Sequence, residues 1–121
     1  MRILIADDSA LVYERLSSLI HELHKNLELV GHAETAPDTI RQAIMQKPDV
    51  VILDIKMPGG NGIEVLKQLK SEPKPPVIIM FTQYPYPQFR DRCLQYGADY
   101  FFDKTSEFDR IGDVLEKIAM N

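Results

Sequence analysis

Cysteine occurs once in this sequence, at Cys93, so no disulfide can form within the chain and a reducing compartment is the simpler setting. Cys93 falls in a helical pattern and reads as a small buried hydrophobe rather than a redox centre. Long apolar runs are missing too. The longest, such as Val50–Leu53 and Val77–Phe81, are far shorter than the roughly 20 residues that a membrane-spanning helix needs. Asp7 and Asp8 interrupt the N-terminal apolar stretch before any cleavage pattern, so no secretory leader is expected and the chain is placed in the cytoplasm. A basic stripe is equally absent. The 14 Lys and Arg residues are scattered among 18 Asp and Glu, for a net charge of -4, which argues against direct nucleic-acid binding. Neither an internal repeat nor a linker is visible.

What is present is the composition of a globular domain, with 45% hydrophobic and 26% charged residues. At 121 residues the chain has room for one compact domain, spanning 1–121, and none for a second. Short apolar runs alternate with helical patterns from end to end, the form expected of strand and helix units around a parallel sheet. Strands are predicted at Arg2–Ala6, Leu27–Ala33, Val50–Leu53, Val77–Phe81 and Tyr100–Phe102. Ser9 is placed to cap a helix whose apolar face carries Val12, Leu16, Leu19, Ile20 and Leu23. A stripe of Ile40, Ala43 and Ile44 is ended by Pro48, and Ile63, Leu66 and Leu69 mark a third helix. Phe89, Cys93 and Tyr96 keep helical spacing up to Gly97, and Ile111, Val114, Leu115 and Ile118 define the last helix, with Ser106 near its start. Five such units suggest an open three-layer α/β sandwich with right-handed crossovers and strand order 2-1-3-4-5, whose ligand crevice lies at the carboxyl ends of strands one and three.

The polar residues at those strand ends fit a crevice. Asp7 and Asp8 follow strand one, Asp54 follows strand three, Thr82 follows strand four, and Lys104 lies just past strand five. Three carboxylates held close together repel, and a divalent cation resolves the conflict. Oxygen ligands without neighbouring His or Cys favour a hard ion such as Mg²⁺. Lys104 and Thr82 then suit two oxygens of a phosphoryl group, with an aspartate oxygen as the in-line nucleophile.

Taken together, the Asp7-Asp8 pair, Pro48-Asp49 before an apolar strand ending in Asp54, Met57-Pro58 followed by Gly62, Thr82, and Lys104 resemble the receiver domain of two-component response regulators. The resemblance covers essentially the whole chain. It implies a flavodoxin-like (βα)5 fold with a parallel five-stranded sheet. It also implies a regulatory phosphoacceptor rather than an enzyme: Asp54 takes a phosphoryl group from a phosphohistidine of a sensor histidine kinase or histidine phosphotransfer protein. Asp8 and Asp54 would bind Mg²⁺ directly, Asp7 would assist through water, and the carbonyl of Lys56 would complete the protein ligands. Phe101 would be the aromatic whose rotation follows movement of Thr82. Phosphorylation would favour an active arrangement already present at low population. A downstream protein target would read helix four, strand five and helix five, where Tyr86, Arg90, Arg92 and Asp109 are candidate contacts on a monomer or weak dimer.

Three features depart from that pattern. Gln83 follows Thr82 where a small residue is usual, and Thr105 follows Lys104 where proline is common. Lys56 and Tyr84 flank the route of a hydrolytic water, so the bulk of Tyr84 is expected to slow loss of the phosphoryl group. Pro85 and Pro87 stiffen the loop entering helix four. Gly59, Gly60 and Gly62 match neither phosphate-binding fingerprint and read as turn chemistry. His21, His24 and His32 are expected on the surface or in packing roles, away from the crevice. An adaptor that binds partners without phosphorylation is the main alternative. A flavodoxin-like electron carrier is disfavoured because Asp7 and Asp8 would repel a cofactor phosphate, and a hydrolase lacks a second acid two residues after Asp54.

Overall fold

A computed structural model describes residues 1–23 and 26–120 of the chain. Within them, five strands form one parallel sheet: β1 (Arg2–Ala6), β2 (Glu28–Ala33), β3 (Val50–Leu53), β4 (Val77–Thr82) and β5 (Tyr100–Asp103). Their order is β2-β1-β3-β4-β5, as expected from the sequence. Five helices alternate with them: α1 (Ala10–Leu23), α2 (Ala36–Gln46), α3 (Gly62–Lys70), α4 (Pro87–Gln95) and α5 (Phe108–Ala119). Two short strands, Lys56–Met57 and Gly60–Asn61, pair as an antiparallel ribbon between β3 and α3 and take no number here. The fold is flavodoxin-like.

Period-two alternation along the strands builds both halves of the core. Leu4, Ala6, Val51, Leu53, Ile78 and Met80 face α2, α3 and α4, whereas Ile3, Ile5, Val50, Ile52, Ile79 and Phe81 face α1 and α5. β3 is buried along its whole length, which is why its sequence is continuously apolar. Cys93 is fully buried in the α4-side cluster, and burial pushes its thiol up to about 11. At neutral pH it is a protonated hydrophobe, as read from the sequence.

The helix ends follow local chemistry. The Ser9 hydroxyl accepts from the Val12 amide at 3.2 Å, starting α1. Thr35 caps α2 through the Asp38 amide at 3.1 Å, and Asn61 caps α3 through the Glu64 amide at 3.0 Å. Lys47, at φ 48°, ends α2 in the left-handed region directly before Pro48. Gly97, at φ 100°, does the same after α4. Ser106 does not cap α5. Its hydroxyl turns back to Asp103 at 3.2 Å, and the residue before α5 is Glu107, whose carboxylate accepts from the Asp103 amide at 3.1 Å.

Candidate acidic pocket at the strand ends

The pocket is built by extending the sheet one residue past two strands. The Asp7 amide donates to the Ala33 carbonyl at 2.9 Å, and the Asp54 amide donates to the Ala6 carbonyl at 3.0 Å. Both aspartates are therefore fixed by ladder bonds at adjacent strand ends, and both are buried, at 2% and 6% exposure. Asp8, next along the chain, is exposed. One carboxylate oxygen from each of Asp7, Asp8 and Asp54 lies within 4.8 Å of the others. The three aspartates of the expected metal site thus converge.

Lys104 reaches this cluster from the far side of the sheet. Its main chain is anchored by an amide donating to the Thr82 carbonyl at 2.8 Å, just past the β4–β5 pairing. Its ammonium lies 2.6 Å from Asp7 Oδ2 and donates to Asp54 Oδ2 at 2.9 Å. Asp7 Oδ1 is occupied by the Ser9 amide at 2.9 Å. Asp54 Oδ1 alone is buried without a hydrogen-bond partner among the described residues. Thr82 is fully buried beside the pocket, with its hydroxyl accepting from the Tyr84 amide at 3.0 Å.

Two buried carboxylates share one ammonium, and the titration directions reflect that imbalance. Burial raises the Asp54 carboxyl above its usual value, and the Asp7 charge adds to the effect, against opposition from Lys104 and the Ile55 amide. Burial by itself would lower Lys104, but hydrogen bonds to Asp7 and Asp54 outweigh it, and the net shift is upward. The ammonium is firmly charged while Asp54 remains undercompensated. A hard cation fits this donor set, because it would meet the unpartnered Asp54 oxygen and relieve the excess negative charge.

The remaining sequence candidates lie around the pocket. Lys56 is exposed on the ribbon, with its ammonium 4.8 Å from the centre of the Tyr84 ring. Phe101 is buried in the α4-side cluster, and the Arg90 guanidinium sits 5.8 Å from its ring centre. Tyr86, Arg90, Arg92 and Asp109 are exposed. In place of the usual proline, Thr105 gives its amide and hydroxyl to Asp103 Oδ1 at 2.9 and 2.7 Å, which holds the turn behind Lys104.

Two sequence readings need correction. Gly59 and Gly60 are turn glycines with φ of 80° and 148°, but Gly62 is not. A Cβ there would sit 1.9 Å from the Asp54 carbonyl oxygen, so Gly62 lets the start of α3 pass close to the end of β3. The second correction concerns His32. Its Nε2 lies 2.8 Å from the Asp7 carbonyl oxygen, so this histidine touches the pocket rather than lying away from it. His21 is exposed on α1, bonded to the Ser17 carbonyl, and His24 lies outside the described residues. Asn61 was also missed as a cap, although Asn followed by Glu three positions later is a helix-start signal.

Comparison with known proteins places this geometry. Residues 3–116 match the family described as the response regulator receiver domain. An uncharacterised response regulatory protein of Vibrio cholerae is 40% identical over 94% of this chain and 43% of its own length. The sensory transduction protein LytT of Bacillus anthracis is 31% identical over 97% of this chain and 46% of its own length. The chain therefore spans somewhat less than half of those relatives. The response regulator domain of Thermotoga maritima CheB superposes with a TM-score of 0.86 at 31% identity, covering 99% of this chain and 94% of that one. With the fold, the pocket and the sequence match all in register, the chain belongs to the response regulator receiver domain family.

Proposed function

We propose that this chain is a phosphorelay switch in which Asp54 accepts a phosphoryl group from a phosphohistidine of a sensor histidine kinase or histidine phosphotransfer protein. The observation that carries the reading is the state of the Asp54 carboxylate. One oxygen is tied to Lys104, the other is buried with no partner among the described residues, and the carboxylate as a whole lies within reach of those of Asp7 and Asp8. The Asp54 carboxylate attacks phosphorus in line as the phosphorus–nitrogen bond to the donor imidazole breaks. Lys104 exchanges part of its contact with Asp54 for a phosphoryl oxygen, and the Thr82 hydroxyl gives up the Tyr84 amide to donate to another.

Asp8 and Asp54 would hold Mg²⁺ directly, Asp7 would support it through water, and the Lys56 carbonyl would complete the protein ligands. The bound ion supplies charge neutralisation on the transferring group. Movement of Thr82 would then draw Phe101 from its present inward position and alter the face bearing Tyr86, Arg90, Arg92 and Asp109. A downstream protein reads that face. The role is regulatory, the setting cytoplasmic, and the unit of 1–121 acts as a monomer or weak dimer.

The test is incubation with Mg²⁺ and a small phosphodonor, followed by intact-mass measurement of wild type and Asp54→Asn. Wild type is expected to gain one phosphoryl group and the variant none. Absence of an Asp54-dependent adduct with both the small donor and a phosphorylated kinase would favour the phosphorylation-independent adaptor.

A further inference from the structure

We infer that His32 is a positioning residue for the acidic pocket, holding the Asp7 main chain and coupling it to helix α1 through Tyr13. A carbonyl oxygen can only accept, so the 2.8 Å contact between His32 Nε2 and the Asp7 carbonyl requires an Nε2–H donor. The Asp7 amide is already bonded to Ala33, which means that β2 grips both main-chain groups of Asp7, one through its backbone and one through a side chain. Fixing that peptide orients both the Asp7 carboxylate and the start of the Asp8 residue.

The placement of His32 depends on an irregularity in β2. Ile3 pairs with Leu29, yet Leu4 pairs with Gly31, so Val30 is an extra residue in the ladder. Without that bulge His32 would stand beside Ala6 and point to the α2 side, because a one-residue slip reverses the face. With it, His32 stands beside Ile5 on the α1 side. Tyr13 of α1 stacks on it there, with ring centroids 4.0 Å apart and planes inclined by 11°. From the other side, Gln42 donates to the His32 carbonyl at 3.0 Å. The ring is therefore held by packing and its donor is aimed at Asp7.

The inference rests on the metal reading above, and the experiment separates the two. Mg²⁺ is titrated into the full chain, following the Asp7, Asp8 and Asp54 amides by NMR, alongside urea denaturation without metal. His32→Phe keeps a stacking ring but removes the donor; Tyr13→Leu removes the stack but keeps the donor; His32→Gln keeps a side-chain donor without the ring. His32→Phe is expected to weaken Mg²⁺ binding by up to about tenfold, the lower end of what ligand-supporting partners contribute. His32→Gln should recover part of that loss. Tyr13→Leu should lower the urea midpoint more than it lowers Mg²⁺ affinity. If wild type responds to Mg²⁺ and His32→Phe responds equally, or if affinity merely follows stability across the series, His32 has only a packing role. If the wild-type amides ignore Mg²⁺, the metal reading and this inference fall together.

Discussion

Lys104 donates to only one oxygen of Asp54, Oδ2 at 2.9 Å, and leaves Oδ1 buried with no partner among the described residues. The site therefore carries an uncompensated charge in the folded protein, and this makes Asp54→Asn stabilising. The folded Asp54 carboxyl is raised, first by burial and then by Asp7. A carboxyl with a raised folded value favours the native state below its unfolded value of about 3.9, and that contribution is lost as pH rises through the folded value. The penalty is therefore carried above the folded value. Asp54→Asn should thus raise the urea midpoint of the metal-free protein at pH 7, with the advantage shrinking towards pH 4. Added Mg²⁺ should stabilise wild type more than the variant.

Lys104→Met tests the same imbalance from the other partner. Lys104 is 11% exposed, and Asp7 and Asp54 are 3% and 7% exposed at their side chains, so solvent screens the network little. Removing one partner of a buried pair costs about 3–5 kcal/mol, and the lower end applies because a carboxylate here can take up a proton instead. The expected loss is about 3 kcal/mol at neutral pH by urea denaturation. It should diminish as pH falls and the carboxylates protonate. A loss that is independent of pH would show that Lys104 contributes packing rather than charge.

Gly62→Ala addresses the contact between α3 and the end of β3. The added methyl would overlap the Asp54 carbonyl oxygen at 1.9 Å and its carbon at 2.8 Å, both main-chain atoms that cannot rotate away. Overpacking of this kind costs about 1–3 kcal/mol or somewhat more. The variant should lose at least about 1 kcal/mol by urea denaturation and shift the Asp54 and Ile55 amide resonances. Gly60→Ala, facing the Ala36 methyl at 3.2 Å rather than a main-chain atom, should leave those resonances closer to wild type.

The parts of this site that were legible in the sequence are those set by strand ends. Asp7 and Asp54 directly follow apolar runs, so alternation of strands and helices was enough to bring them together. Lys104 and Thr82 were legible for the same reason, since each lies at or just past a strand on the adjacent half of the sheet. His32 was not, because its side depends on the extra residue Val30, and the only mark of that bulge in the run Glu28–Ala33 is the lone Gly31 beside it, which does not by itself fix the register. Gly62 was misread for a related reason. Its neighbours Gly59 and Gly60 do serve a turn, and only the approach of the Asp54 carbonyl separates the third glycine from them. Ser106 lies near the start of α5 as expected, but its hydroxyl, like both donors of Thr105, is taken by Asp103 rather than by the helix.

Tyr84 and Lys56 give the last prediction, which concerns how long the phosphoryl group persists. The Lys56 ammonium lies 4.8 Å from the Tyr84 ring centre, and Tyr84 packs at 6.3 Å from Tyr86, which in turn packs at 5.7 Å from Phe89. The Tyr84 ring is thus held by a cation on one side and an aromatic chain on the other, two residues past Thr82, whose hydroxyl accepts from the Tyr84 amide. A ring fixed there would obstruct a water approaching phosphorus opposite the Asp54 oxygen. Tyr84→Ala should accelerate loss of the phosphoryl group several-fold, measured by the decay of the phosphorylated mass after donor removal. Lys56→Ala should have a smaller effect in the same direction, because it frees the ring without removing it. Equal decay rates in wild type and Tyr84→Ala would show that water reaches the phosphoryl group by another route.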